Sequence, residues 1–433
     1  MKGNTASGFL DKSLYFVYLI FLASIVCAVR PLSSIALGCM LVLAVIKNKL
    51  ETGRYTNKKA NNVFLWGCIA FYLLQVIALI YTNDFASGLR HLQLKSSLVI
   101  IPLALCLSNY PDRETRNRML KHYVLILLAA MLFCLVVALK RFFADHASES
   151  VFFYHPLVSP FSQHAIQFSI LVFIGFVYLL VTAGRREFMV NYFCHLMFIV
   201  FFLFFLLLLS SKLVIVFAAV SLVCYLVVMV KKHAANRVIT GIVVFSCILL
   251  TSLVLLTRNH ISARFNEIVS EDLSMVKKDS FNQGTSFNGL QFRLLQWRVV
   301  SQILNENKGW VKGVSPGDAQ AFIDKKYVEK NMYTGNGGDK RGFLGYDAHN
   351  QFLESILQTG IAGLLAFVII CIGAIQLAVR TRDLLQWATT LILLAYTLNE
   401  SVFETQYGLM LFVFFPLFLY SPRKPAATQP AVN

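Results

Sequence analysis

The chain is built from apolar blocks of membrane-spanning length, and that pattern narrows its folding options more than any other feature of the 433 residues. A segment of roughly 20 mostly apolar residues matches the hydrocarbon thickness of a bilayer. Inside lipid, each backbone N–H and C=O must find its partner within the protein, which favours helices. The blocks read as spans at 13–29, 32–46, 63–81, 90–108, 122–140, 164–183, 192–209, 213–230, 238–256, 360–379, 384–399 and 406–420. The expected fold is therefore an all-α polytopic membrane protein of about twelve transmembrane helices. Composition argues against soluble packing, because 57% of the residues are hydrophobic and 14% charged, where soluble domains carry about a quarter charged residues. Arg90, His91 and Lys95 interrupt the start of the fourth block, and only Ser210-Ser211-Lys212 separates the seventh from the eighth. Lys2 and Lys12 precede the first block, and Arg30-Pro31 follows it without a small-residue cleavage site, so it reads as a span.

A net charge of +17 suggests nucleic acid until the positions of the charges are considered. Twenty basic residues fall in one set of alternating short loops and termini, from Lys2 and Lys12 through Arg113, Arg116, Arg118 and Lys121 to Arg423 and Lys424. The opposite set holds six, namely Arg30, Arg90, Lys95, Lys140, Arg141 and Lys212. Such a bias marks the cytoplasmic side, so both termini are expected inside and residues 257–348 outside. The chain divides into spans one to nine (1–256), an outer loop (257–348), an amphipathic turn with spans ten to twelve (349–420) and a cytoplasmic tail (421–433). All nine cysteines lie in apolar blocks and none in the outer loop, so that loop is expected to hold its shape without disulfides and without a thiolate metal site.

The outer loop has its own pattern. Leu290, Leu294, Trp297, Val300 and Leu304 form a helical stripe over 290–304. Ser315-Pro316-Gly317-Asp318 reads as the start of a second short helix, with Ser as cap, Pro first and Asp third. Residues 333–342 are Gly-rich and read as a mobile stretch. Tyr346-Asp347-Ala348-His349-Asn350 then leads into an amphipathic turn with Phe352, Leu353, Ile356 and Leu357 on one side and Asn350, Glu354 and Gln358 on the other. Gly360 is placed to break that helix before the next span.

No phosphate-binding G-x-x-x-x-G-K loop is present, and the blocks lack the acidic chains of an ion-coupled pump. Polar interest gathers at the outer boundary. Lys212 can snorkel to headgroups at little cost, or its ammonium can face inward to bind a lipid diphosphate; spacing leaves both readings open. Arg293 and Trp297, four apart on one helix, can stack, and a guanidinium forks onto phosphate oxygens; an interfacial anchor pair is the competing reading. His349, where loop meets helix, is suited to take a proton near neutral pH, as is His155 in Tyr154-His155-Pro156, although a lone histidine is more often a satisfied surface residue.

Asp347-Ala348-His349-Asn350-Gln351-Phe352-Leu353-Glu354, followed by Gly360-Ile361-Ala362-Gly363-Leu364, resembles the signature of the O-antigen ligase and polymerase superfamily. Arg293 and Trp297, Gly313-Val314, Gly317-Asp318 and the Ser210-Ser211-Lys212 hairpin match in order, over roughly 205–375. Many members carry Arg in the hairpin where this chain has Lys212, which keeps the charge and loses the two-point fork. The resemblance implies a GT-C-like membrane glycosyltransferase of the bacterial inner membrane, its large loop in the periplasm. It implies transfer of a glycan from a polyprenyl (undecaprenyl) diphosphate carrier to an acceptor hydroxyl, typically on lipid A core in lipopolysaccharide assembly. His349 and Arg293 are the implied catalytic residues, Arg293 and Lys212 the diphosphate ligands, and Asn350, Asp347, Glu354, Trp297 and His155 their support. No D-x-D pair occurs in the chain, so protein cations and not a metal or other cofactor are expected to serve the diphosphate. The expected partners are the lipid-linked donor, the glycan acceptor and membrane lipids, with no nucleic acid. A polymerase or protein O-glycan ligase would differ only in acceptor. A lipid-linked sugar flippase, a transporter or a receptor whose outer loop binds a partner is the reading from a different class.

Overall fold

The computed structural model describes residues 2–50, 62–183, 188, 191–232, 273–335 and 342–420. The expected ninth span, 238–256, lies outside them, as do most of the Gly-rich stretch and the tail. Every regular element described is helical. The helices are α1 (Lys2–Val26), α2 (Arg30–Leu50), α3 (Asn62–Ala78), α4 (Phe85–Lys95), α5 (Ser97–Leu107), α6 (Arg113–Phe143), α7 (Tyr154–Val158), α8 (Ala165–Ala183), α9 (Tyr192–Leu208) and α10 (Lys212–Lys232). After the undescribed stretch follow α11 (Gly289–Glu306), α12 (Ala319–Glu329), α13 (Gln351–Thr381), α14 (Leu384–Asn399) and α15 (Gln406–Phe418).

Seven segments among the described residues are long and apolar enough to cross a membrane: α1, α2, α3 with its trailing turn, α4 joined to α5, α6, α8 and α13. The expected spans at 192–209, 213–230, 384–399 and 406–420 fall on four apolar helices that are shorter. This is a membrane protein. Its two central helices, α8 and α15, are buried along nearly their whole length. Between helices in lipid there is no hydrophobic drive to associate, so close packing and polar contacts must hold the bundle. The tightest approach is between α3 and α13. A Cβ on Gly373 would lie 2.6 Å from the Phe64 backbone, so only glycine permits that crossing.

Polar contacts sort to two ends of the bundle. At one end, Lys47 pairs with Asp11 at 2.6 Å and reaches the Ser108 carbonyl, while Arg116 lies 3.9 Å from Asp383 and donates to the Leu419 carbonyl. At the other, Gln163 donates to the Ile25 carbonyl and Gln406 to Ser33 and Ser34. Glu400 and Glu404 stand at this second end, on the connector between α14 and α15.

A second, smaller core forms from α11, α12 and the first turns of α13, with Leu295, Val299, Ile303, Ile323, Tyr327 and Leu357 at its centre. The face that α11 buries is displaced from the expected stripe: Leu295, Gln296, Val299, Val300, Ile303 and Leu304 point inward, while Leu290 is exposed. The displacement arises because α11 packs on α12 and α13 together, and two neighbours demand a wider buried face than one stripe. The second loop helix also differs from expectation. Ser315 Oγ accepts from the Asp318 N–H at 3.2 Å as expected of a cap, but the regular helix starts only at Ala319, and the Asp318 carboxylate makes no capping bond to it. Instead Asp318 accepts from the backbone N–H of Asn83 (2.8 Å) and Asp84 (2.9 Å), which fastens the loop to the turn before α4. Burial opposes ionisation there, but those amides and the Ser315 hydroxyl hold the carboxyl below its ordinary range.

Gly360 breaks α13 as expected. Thr359 (φ −132°, ψ 16°) and Gly360 (φ 67°, ψ −159°) leave helical geometry, and Ile361 N–H donates to the Trp310 carbonyl. A Cβ at Gly360 would collide with the Val311 carbonyl at 2.0 Å. The break therefore separates an amphipathic segment, 351–358, from the apolar remainder and seats the outer segment on the helix.

Candidate active site

His349 stands between the loop and α13 in a left-handed backbone conformation, φ 45°. Such a φ is uncommon for a residue with a Cβ and persists when its neighbours over-determine it. Three contacts do so. Asp347 Oδ1 accepts from the His349 backbone N–H at 2.8 Å and lies 3.0 Å from the ring Nδ1. Asn350 caps α13, accepting from the N–H of Phe352 (2.9 Å) and Leu353 (3.2 Å), and its amide donates to the Leu398 carbonyl. Gln296 on α11 donates to the Asp347 carbonyl at 2.6 Å. A neutral ring that gives Nδ1–H to Asp347 keeps its lone pair on Nε2; the Gln296 amide nitrogen also lies 3.2 Å from Nδ1.

Arg293 reaches the same place from α11. Its Nη2 lies 3.1 Å from Glu400 Oε1, its Nε donates to the Asn399 carbonyl at 3.1 Å, and its Nη1 donates to the Gly289 carbonyl. The other Glu400 oxygen is 3.8 Å from His349 Nε2. One carboxylate thus stands between the guanidinium and the imidazole. The three side chains are 27%, 20% and 15% exposed for Arg293, His349 and Glu400 respectively, half-open at the end of the bundle.

Electrostatics follow from this crowding. Burial lowers the affinity of His349 for a proton, but the hydrogen bond and charge of Asp347, with the charge of Glu400, outweigh it and raise the imidazole above its ordinary value. Burial pushes the Glu400 carboxyl up as well, against the pull of His349 and Arg293. Both shifts favour a proton held between the two groups. His164, at the head of α8, is solvent-accessible, lies within electrostatic reach of His349 and Arg293, and packs edge-on against His155 with ring centroids 4.6 Å apart.

Residues 197–368 match the family model described as O-antigen ligase. That segment is similar to the O-antigen ligase family. The family is one of enzymes, ligases and polymerases of membrane-borne glycan, and the match covers less than half of the chain. No curated protein matches the chain.

Within the O-antigen ligase segment lie Lys212, Arg293, Trp297, Asp347, His349, Asn350 and Glu354. The structure brings Arg293, Asp347, His349 and Asn350 together. Glu354 faces inward and not to solvent: one oxygen accepts from the Ala348 N–H (3.3 Å) and the other from the Gln358 amide (2.7 Å). Arg293 does not stack on Trp297, because Glu400 and the Asn399 carbonyl claim its guanidinium; the Trp297 indole N–H is buried without a partner. His155 accepts from the Ala165 N–H at 3.4 Å and joins the site through His164. Lys212 is half-buried at the first position of α10, which packs on α8 and α14.

Sequence reasoning missed Glu400, which lies beyond the O-antigen ligase segment in a turn between two apolar helices. Its only signal was two acidic residues, Glu400 and Glu404, in an otherwise apolar stretch of the chain. It also missed a deeper cluster. Lys95 is fully buried, 2.9 Å from Glu404 Oε1, and His91 Nδ1 lies 3.0 Å from Glu404 Oε2 at ion-pair distance without hydrogen-bond alignment. The sequence reading saw few charges within the spans, and here one lysine is carried inside against a carboxylate from a connector.

Proposed function

We propose that this protein is a periplasmic-face glycosyltransferase that moves a glycan from a polyprenyl diphosphate carrier to an acceptor hydroxyl. O-antigen ligation to lipid A core is the first assignment. The observation that carries it is the convergence of Arg293 and His349 on one carboxylate, within a segment of O-antigen ligase type. In this reading the termini are cytoplasmic and the end of the bundle bearing Glu400 is periplasmic. The acceptor oxygen attacks the anomeric carbon, the bond from that carbon to the phosphate oxygen breaks, and the diphosphate leaves with the electron pair.

Each group has a physical task. Asp347 fixes the His349 tautomer, so Nε2 can take the acceptor proton. A basicity raised by Asp347 and Glu400 strengthens that transfer. Negative charge grows on the leaving diphosphate, and a fixed guanidinium at Arg293 stabilises it without reorganising. Lys212 adds a second cation as a point charge. Energy resides in the donor bond, so no nucleotide is needed. Holding both lipids in one membrane plane raises their effective concentration.

The test is a deletion strain examined by surface-polysaccharide gel beside Arg293→Ala and His349→Ala. Unligated lipid-linked polymer in all three supports a ligase. Single-unit glycan points to a polymerase, and bare glycoproteins to a protein ligase. Normal surface glycan in both point variants rejects the assignment. Purified protein that forms no glycosidic bond from donor and acceptor favours a flippase or transporter.

A further inference from the structure

Lys95 ends α4 with its side chain wholly buried, and the transfer chemistry makes no use of it. Its ammonium has three donors. It sits 2.9 Å from Glu404 Oε1, donates to Gln358 Oε1 at 2.6 Å and donates to Gln75 Oε1 at 3.2 Å, so all three are satisfied. With its oxygen held by Lys95, the Gln358 amide can only present its nitrogen to the carboxylates. It donates to Glu404 Oε1 at 2.9 Å and to Glu354 Oε1 at 2.7 Å. The second oxygen of Glu354 accepts from the backbone N–H of Ala348, the residue before His349.

A continuous path of hydrogen bonds thus runs from an ion pair beneath the site to the backbone that carries the imidazole. Its anchor is rigid. The connector that bears Glu404 is plugged by Phe403, whose ring meets Phe71, Phe367 and Phe412 at centroid distances of 5.4, 5.3 and 5.4 Å. Phe403 N–H also donates to Gln351 Oε1 at 2.7 Å. A left-handed His349 needs such over-determination, since the conformation is costly for a residue with a Cβ. We propose that Lys95, Glu404 and Gln358 are positioning residues that hold His349 in its working conformation through Glu354 and the Ala348 backbone. Their effect on rate rests on the glycosyltransferase reading; their effect on the imidazole does not.

The experiment uses the full chain in detergent with 15N-labelled histidine, the His349 resonance being the one lost in His349→Ala. The variants are Gln358→Leu, which removes the bridge, and Lys95→Met paired with Glu404→Gln, which removes both charges together should Lys95→Met alone fail to fold. Asp347, Glu400, Arg293 and His164, the charged and titratable groups around the ring, stay intact. The expected result is a His349 titration midpoint displaced downward, as its contact with Asp347 loosens. Transfer from a polyprenyl-diphosphate glycan should lose on the order of tenfold to a hundredfold in kcat, the scale of a small misplacement of a reacting group, with donor KM little changed. A folded Gln358→Leu protein with the wild-type midpoint overturns the proposal. So does a loss of rate that tracks only the folded fraction. If the wild-type protein forms no glycosidic bond, the functional reading fails, and the His349 midpoint alone decides the positioning claim.

Discussion

Two carboxylates four residues apart on the α14–α15 connector, Glu400 and Glu404, each hold one cation and one histidine, yet they do opposite work. Glu400 meets Arg293 and His349 at a half-open surface. Glu404 meets Lys95 and His91 in the interior, where Lys95 is 0% and Glu404 9% exposed. Burial opposes ionisation of both. At Glu404 the Lys95 charge and His91 override it and hold the carboxyl below its ordinary range, whereas at Glu400 burial prevails. The inner pair is saturated by amides and has no vacancy for a ligand. The outer group keeps a proton in play and a guanidinium within reach of solvent. The difference teaches that a like set of residue types serves as staple or as chemistry according to access.

If that contrast is right, substitutions at the outer set should lower activity most and spare the fold, and those at the inner set should weaken the fold and lower activity less, through the placement of His349. The largest effect is expected for His349→Ala, a loss of about 10²–10⁴-fold in transfer rate, the usual worth of a positioned acid–base group. Thermal unfolding should stay near wild type, and a rate within twofold of wild type would break the contrast. Next comes Lys95→Met, which strands Glu404 in the interior at a cost of about 3–5 kcal/mol. Unfolding in detergent reads it, and an unchanged midpoint would place the inner pair with the outer one.

Gly360→Ala should destabilise by roughly 1–3 kcal/mol from the forced left-handed backbone alone, with the Val311 clash added. Release of the outer segment should show as faster proteolysis between residues 310 and 360. The smallest effect is on pH dependence. A base must be neutral, so wild-type transfer should decline as pH falls through the raised value of His349. Asp347→Asn removes the hydrogen bond and charge that raise it, so the acid limb should move to lower pH. A limb that stays in place would assign the titration to another group.

Much of the bundle was legible because apolar runs of spanning length have a single economical solution in lipid. The motif around His349 was legible too, as was the break at Gly360, since no other residue fits there. Glu354 and Gln358 read only as the side opposite the apolar one, because amphipathic spacing tells only that two faces differ. It does not tell that the polar face meets a buried ion pair. The stripe on α11 was misplaced for a related reason: periodicity names a face, and the number of neighbours sets its width.

By itself, then, the sequence determined the helical membrane architecture and the identities of Arg293 and His349 as chemical candidates, since hydropathy and a local ordered motif are one-dimensional properties. Only the tertiary structure decided that Glu400 joins those two, that Lys95 is buried against Glu404, and that Asp318 fastens the outer segment to residues 83–84. Those contacts link positions far apart in the chain, and electrostatic pairing depends on distance in space, which spacing along a sequence does not encode.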